Sequence, residues 1–214
     1  MPSTTIEQES RINNQARWLI VGHTSANVKS VAMNFLGPIE TLELTEETND
    51  LPALLTPIDA AALVINAKTG VSKSMIEFWQ YLAERQFPRM VIVNGLEFSE
   101  TDFDDIVLIA TRVLEQVATP FLVLHDEVGE PTGLISLHDL MIHDYSQPEL
   151  RTYPADEEMI GLVSDFREEY EEQLSEFGSE GFSEGLFVPA LPLGGNRKFG
   201  ISEIQKYIDL ITRH

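Results

Sequence analysis

Three of the chain's five histidines lie beside aspartates, as His125-Asp126, His138-Asp139 and His143-Asp144. Imidazole with carboxylate is a common ligand set for divalent metals, but a metal centre needs its ligands at spacings that a helix, turn or strand brings to one point. These pairs match no standard spacing, so they read as surface neighbours and no metal site is expected. Ser136 and Ser183 lack the strand-to-helix glycine context of a nucleophile elbow. The chain has no cysteine, which excludes disulfides, thiolate zinc sites and thiol nucleophiles and fits a reducing, cytoplasmic setting. Gly22, His23 and Asn94 each have a plain reading: the end of a strand, a helix cap or solvent-facing ring, and the close of a second strand. The densest charge is the run Glu168, Glu169, Glu171 and Glu172, which reads as the solvated face of a helix.

The charge balance narrows the partners. Thirty-five acidic and 14 basic residues give a net charge of -21 over 214 residues. Proteins that bind nucleic acid usually present a basic face, because neutralising phosphates supplies much of their affinity. No Lys/Arg cluster is present, so direct contact with nucleic acid is not expected. A polyphosphate would also need cations supplied locally against this field. No run of about 18 apolar residues exists, so no membrane span is expected, and the polar stretch Met1 to Asn14 has no apolar signal region.

Hydrophobic periodicity supplies the elements. Residues 1–16 read as a flexible tail. Trp18 to Val21, ending in Gly22, is a buried strand, and Val28, Val31, Ala32, Phe35 and Leu36 follow at helical spacing until Gly37-Pro38. Thr41 to Leu44 reads as a second strand, and Thr45 to Pro57 mostly as loop. Ala61 to Ile65, Met90 to Val93 and Phe121 to Leu124 are further strands. Between them, Met75 to Leu82 and Phe103 to Val117 form helical stripes. The alternation predicts an α/β fold with a mainly parallel sheet and helices on both faces. Beyond His125 the rhythm breaks: Thr132 to Leu137 is a short strand, and Pro154 to Phe177 one amphipathic helix with Met159, Val163, Phe166, Tyr170 and Leu174 inward. Gly178 to Gly185 is a joint, Leu186 to Val188 a strand, and Ser202-x-x-Gln205 a capping box for a last helix.

Four segments, in order, carry a resemblance. Leu19-Ile20-Val21-Gly22-His23, followed by Thr24 to Ser30, is similar to the strand and phosphate loop of elongation factor G and its translational GTPase relatives, which read Gly-His, three variable residues, then Gly-Lys-Thr. Asp59 to Val71 resembles the strand that ends in that family's D-A-x-x-G-V turn. Pro88 to Glu97, with Thr101-Asp102-Phe103-Asp104 after it, resembles the guanine-reading Asn-Lys-x-Asp loop and the helix start that follows. Phe187 to Leu191 resembles the Ser-Ala-Leu loop. The stretch between the last two looks like the small subdomain inserted in that factor's G domain. The resemblance implies a three-layer P-loop NTPase-like G-domain fold, with a core over 17–125 and 186–214 and an inserted subdomain over 126–185 that carries the acidic helix.

The departures from the family pattern decide the functional expectation. A phosphate loop points backbone N–H groups at phosphate and needs a tight turn. Asn27 stands at the family's glycine, Val28 at its phosphate lysine and Lys29 at its magnesium-binding threonine. A charge-assisted bond like the lysine's is worth about 1.5–3 kcal/mol, and valine offers none. A register shifted by one would use Lys29 and Ser30 instead. The span from Gly37 to Pro57 is too short for the family's first switch. Thr45 to Asp50 holds neither the glycine nor the histidine of the second, and phosphoryl transfer depends on those positioning parts. At the base site Asn94 matches, Gly95 replaces the lysine, Glu97 replaces the aspartate, and Pro189-Ala190 stands for Ser-Ala. The expected site is therefore a degenerate GTP site of Gly22, His23, Asn27, Lys29, Ser30, Asn94, Glu97 and Ala190, with no catalytic residue and no resident cofactor. The implied function is a pseudo-GTPase scaffold that meets a basic protein through Glu168, Glu169, Glu171 and Glu172. The alternative is a divergent GTP-binding protein that uses magnesium and the shifted loop.

Overall fold

The computed structural model describes residues 15–48, 50–98, 102–178, 180–194 and 198–212. Of the expected tail over 1–16, residues 1–14 lie outside them, as do Asn49 and Thr101; the rest is not a free tail, because Gln15 bridges to Thr212 and Ala16 is buried. Five strands form a parallel sheet: β1 (Trp18–Gly22), β2 (Ile39–Glu43), β3 (Ala60–Asn66), β4 (Arg89–Asn94) and β9 (Ala190–Leu193), in the order β2-β1-β3-β4-β9. β1, β9, the first six residues of β3 and the first five of β4 are buried without interruption, as expected of strands covered on two faces. A second, antiparallel sheet holds β5 (Phe121–His125), β6 (Pro131–Ser136), β7 (Met141–Asp144) and β8 (Arg151–Pro154) in sequence order. The molecule is thus a mixed α/β fold with one parallel and one antiparallel sheet.

The helices are α1 (Val28–Ala32), α2 (Leu51–Leu55), α3 (Lys73–Ala83), α4 (Phe103–Val113), α5 (Glu157–Leu162), α6 (Ser164–Phe177) and α7 (Ile201–Leu210). α3 shows why periodicity worked. Met75, Phe78, Trp79 and Leu82 all face inward, and Ser72 accepts the Met75 N–H as the cap. Burying a large apolar side chain of this kind contributes about 1.5–3 kcal/mol. The Trp79 indole N–H donates to Glu115 at 2.6 Å, and buried Arg89 grips the same carboxylate with two donors at 2.7 and 2.6 Å. A further Arg89 nitrogen donates to the carbonyls of Phe87 (2.9 Å) and Gly185 (3.0 Å). The start of β4 is therefore pinned to both α3 and the loop before β9. No helix among the described residues is long and apolar enough to cross a membrane.

Several elements differ from the sequence reading. Phe121 to Leu124 does not extend the parallel sheet. It opens the antiparallel one, paired with β6 through Phe121–Ser136 and Leu122–Ile135. An apolar run has no sign for strand direction, so the pattern could not separate the two pairings. Among the described residues only Ala118, bridged to Pro189, prolongs the parallel sheet at its β9 edge. The strand expected over Leu186 to Val188 lies at Ala190–Leu193. Thr45 to Pro57 contains α2, capped by Asp50 with proline in its first turn, where proline is tolerated because its N–H has no intrahelical partner. The long amphipathic helix is two helices broken at Val163, and Phe166 is outward rather than inward. α7 is preceded by Gly200 in the left-handed region, not capped by Ser202.

Candidate functional site

The carboxyl ends of β1, β3, β4 and β9 meet around a cavity of about 340 Å³. Register brings its walls together, since Asn66 pairs with Asn94 and Asn94 with Leu193. The chain steps from β1 outward to β2 and returns across β1 to β3. Ligands of open parallel sheets bind in the crevice at such a reversal, outside the carboxyl ends of the strands. The lining includes Asn27, Ser30, Asn34, Asn66, Asn94, Gly95, Glu97, Leu193, Gly194 and Lys198. Amides dominate it, with one carboxylate and one ammonium.

The loop out of β1 closes on itself. Gly22 is required by packing, because a Cβ there would lie 2.7 Å from the Val64 carbonyl oxygen. Thr24–Ala26 forms a single 3-10 turn. The Ala26 N–H donates to the His23 carbonyl at 2.8 Å and the Asn27 N–H to the Thr24 carbonyl at 3.3 Å. The Ser25 N–H donates to His23 Nδ1 at 3.3 Å, so this exposed imidazole caps the turn. Ser25 and Thr69 join their hydroxyls at 2.9 Å, and the Asn94 amide N–H donates to the Ala26 carbonyl at 2.8 Å. Asn27 holds φ 49° and ψ 52°, the left-handed region that asparagine tolerates better than most residues. Val28 follows as the first residue of α1, fully buried.

The expected site residues therefore divide. Asn27, Ser30, Asn94 and Glu97 line the cavity; Gly22 and His23 build the loop beside it but do not line it. Lys29 is exposed on α1 and is not in the lining. Ala190 departs from expectation: it opens β9, pairs with Val91 and is buried in the sheet. The residues that β9 actually delivers to the cavity are Leu193 and Gly194 at its end, three and four positions later. Asn66 and Lys198 were missed, and Gly95, noted only as the replacement for a lysine, also lines the cavity. A local signal existed for Asn66, because its Oδ1 accepts the Lys68 N–H at 3.1 Å in an asparagine turn. Gly95 adopts φ 75°, and a Cβ there would come within 2.7 Å of the Asn66 amide nitrogen.

A second polar cluster escaped the sequence reading altogether. His143 of β7 hydrogen-bonds through Nδ1 to Glu203 of α7, whose side chain is completely buried. The Tyr145 hydroxyl donates to the same carboxylate at 2.9 Å and Ser202 at 2.9 Å. Burial alone would raise the Glu203 carboxyl, yet the bonds from His143, its own backbone, Tyr145 and Ser202 bring it below its ordinary value. Tyr145 is pushed well up, first by burial and then by the Glu203 charge. His143 is not the surface residue that the sequence suggested: it is buried, alternate strand residues face opposite ways, and its carboxylate partner comes from 60 residues away.

No protein-family model matches the chain. Among solved structures, the chain is similar to the crystal structure of ttk003000868 from Thermus thermophilus, at 17% identity and a TM-score of 0.65. The match covers 93% of this chain and 40% of that one, so this chain spans less than half of its neighbour's length. At this identity the likeness establishes a shared α/β fold.

Proposed function

We propose that the chain is a G-domain-type scaffold of the elongation factor G kind that has given up phosphoryl transfer and serves as a non-catalytic interaction module. The order of the parallel strands supports the three-layer arrangement. Right-handed crossovers are the rule, so a chain that reverses direction at β1 puts its crossover helices on opposite faces. The observation that carries the functional reading is the self-satisfied loop. Three successive N–H groups, those of Ser25, Ala26 and Asn27, donate within the loop or to His23. A phosphate cradle needs such donors free and convergent. Val28, at the position of the phosphate lysine, is part of the core instead. These residues do not fit a magnesium triphosphate. Acidic α6 remains the surface for a basic protein partner, though its glutamates are not equivalent: Glu171 is paired with Arg167 at 2.8 Å, and Glu168, Glu169 and Glu172 stand outside that ion pair.

One observation favours the divergent GTP-binding alternative, namely that Ser30 reaches the cavity with Asn94 and Glu97. Calorimetric titration with GTP and magnesium separates the readings. The scaffold reading expects no heat of binding at millimolar nucleotide. Micromolar binding that is lost in Lys29→Ala would establish the alternative and remove the proposal.

A further inference from the structure

α4 is apolar on more sides than a surface helix needs. It buries Phe103, Ile106 and Ala110, yet Leu108 is 50% exposed, and Ile109 and Val113 are also open. A helix that packs on one side normally turns polar residues outward. Across from it, α6 leaves Phe166 46% exposed. Between the two helices lies a groove of about 240 Å³ whose walls include Val107, Leu108 and Phe166, with Asp104 and Glu169 at its rim. That volume falls below the range of about 300–1,000 Å³ typical of small-molecule sites. It suits inserted side chains, and a groove between two helices is the geometry that accepts an amphipathic helix by its apolar face.

Charge selects the occupant. α4 carries Asp104 and Asp105 against the single cation Arg112; α6 carries Asp165, Glu168, Glu169, Glu171, Glu172 and Glu176 against Arg167, which Glu171 already holds. Asp165, Glu169 and Glu172 follow one another at spacings of four and three, so they share the stripe next to Phe166 and Tyr170. Loss of hydration, then repulsion from Asp102 and Asp105, raises the Asp104 carboxyl, with His125 opposing. A cation brought to this rim would relieve that repulsion. The chain's own 14 basic residues form no cluster, so a second copy is a poor complement.

We propose that the groove between α4 and α6 docks a basic amphipathic helix of a partner protein, which seats apolar side chains against Val107, Leu108 and Phe166 and sets lysine or arginine against Asp104 and Glu169. This rests on the reading of the chain as an interaction module and names where and with what chemistry it interacts.

The test uses the full chain and a fluorescent peptide of about 18 residues, long enough for several helical turns, with leucine and lysine at amphipathic spacing. A leucine–glutamate version and a scrambled leucine–lysine version serve as controls. The expected result is binding of the first peptide alone, weakened roughly tenfold by Leu108→Gln or Phe166→Gln, as for anchors central to an interface. Asp104→Asn with Glu169→Gln should lower affinity and flatten its salt dependence. Glu40→Gln with Glu43→Gln, on the opposite edge of the parallel sheet, should change nothing. Thr111→Trp, which fills the groove without removing an apolar wall, should reproduce the anchor loss even if another variant unfolds. No binding, equal binding of the scrambled peptide, equal loss in the β2 pair, or indifference to Leu108, Phe166 and Thr111 would overturn the proposal. Self-association abolished by Leu108→Gln would assign the groove to a second copy and overturn it too. GTP titration on the same sample is independent: nucleotide binding with intact docking would fail the scaffold reading and leave the groove standing.

Discussion

The cavity at the carboxyl edge of the parallel sheet and the cluster around Glu203 are both assemblies of polar side chains, but they solve opposite problems. In the cavity most of the groups are neutral amides, with Glu97 and Lys198 beside them, the Ser25, Ala26 and Asn27 N–H groups are spent on loop acceptors, and Asn94 Oδ1 is buried with no partner among the described residues. Around Glu203 a charge is taken fully out of water and met by donors from β7, Tyr145 and Ser202. Strongly shifted ionisation is often a mark of an active site. Here Glu203 and Tyr145 have clear shifts, and neither lines the cavity. A buried charge demands partners already in place, so this cluster reads as a clamp between the antiparallel sheet and the last helix. In this chain electrostatic preorganisation serves architecture.

That contrast breaks most sharply at Glu203 itself. Glu203→Leu removes the acceptor shared by His143, Tyr145 and Ser202 and leaves the buried His143 ring nitrogen without its partner. Breaking a buried network by deleting one partner costs about 3–5 kcal/mol, so the urea midpoint should fall strongly. An unchanged midpoint would mean that the cluster holds nothing. The corresponding change at the cavity, Asn94→Ala, deletes one bond to the Ala26 carbonyl and should cost only about 1 kcal/mol.

Acid sharpens the same comparison with a smaller effect. Glu203 is held below its ordinary value of 4.5. A carboxyl whose folded value is depressed contributes stability that is fully present above the unfolded value and is lost as pH falls through the folded one. Urea unfolding should therefore be insensitive to this group above about pH 5.5 and weaken below about 4.5, with the loss growing at more acid pH. Glu203→Gln should remove that part of the acid dependence. If the variant and the parent follow the same acid curve, the carboxyl titrates alike in the folded and unfolded chain and the depression is absent.

Much of this was legible where chemistry is local. The β1 strand, the stripe Met75-Phe78-Trp79-Leu82 and the left-handed fitness of Asn27 follow from patterns within one turn or one strand. What stayed hidden depends on partners far along the chain. The direction of β5 is set by pairing with β6, not by its own apolar run. The His143–Glu203 bond joins residues that no spacing rule connects. Ala190 was assigned by motif likeness, while three residues' difference in where β9 ends decides which side chains reach the cavity. The spent N–H groups of the loop are invisible in sequence because they are backbone.

The smallest expected effect lies at Asn27, and it probes the loop directly. A non-glycine residue in the left-handed region costs about 1–2 kcal/mol, less for asparagine. Asn27→Gly relieves that cost but adds disorder to the unfolded chain, so the two terms nearly cancel and the melting temperature should move little. The variant also restores the glycine that a phosphate loop would carry. Because the Ser25, Ala26 and Asn27 N–H groups stay committed to His23 and Thr24, it should gain no affinity for GTP with magnesium in calorimetry. A gain would place the defect in the left-handed residue of the loop and overturn the closed turn as the barrier to phosphate.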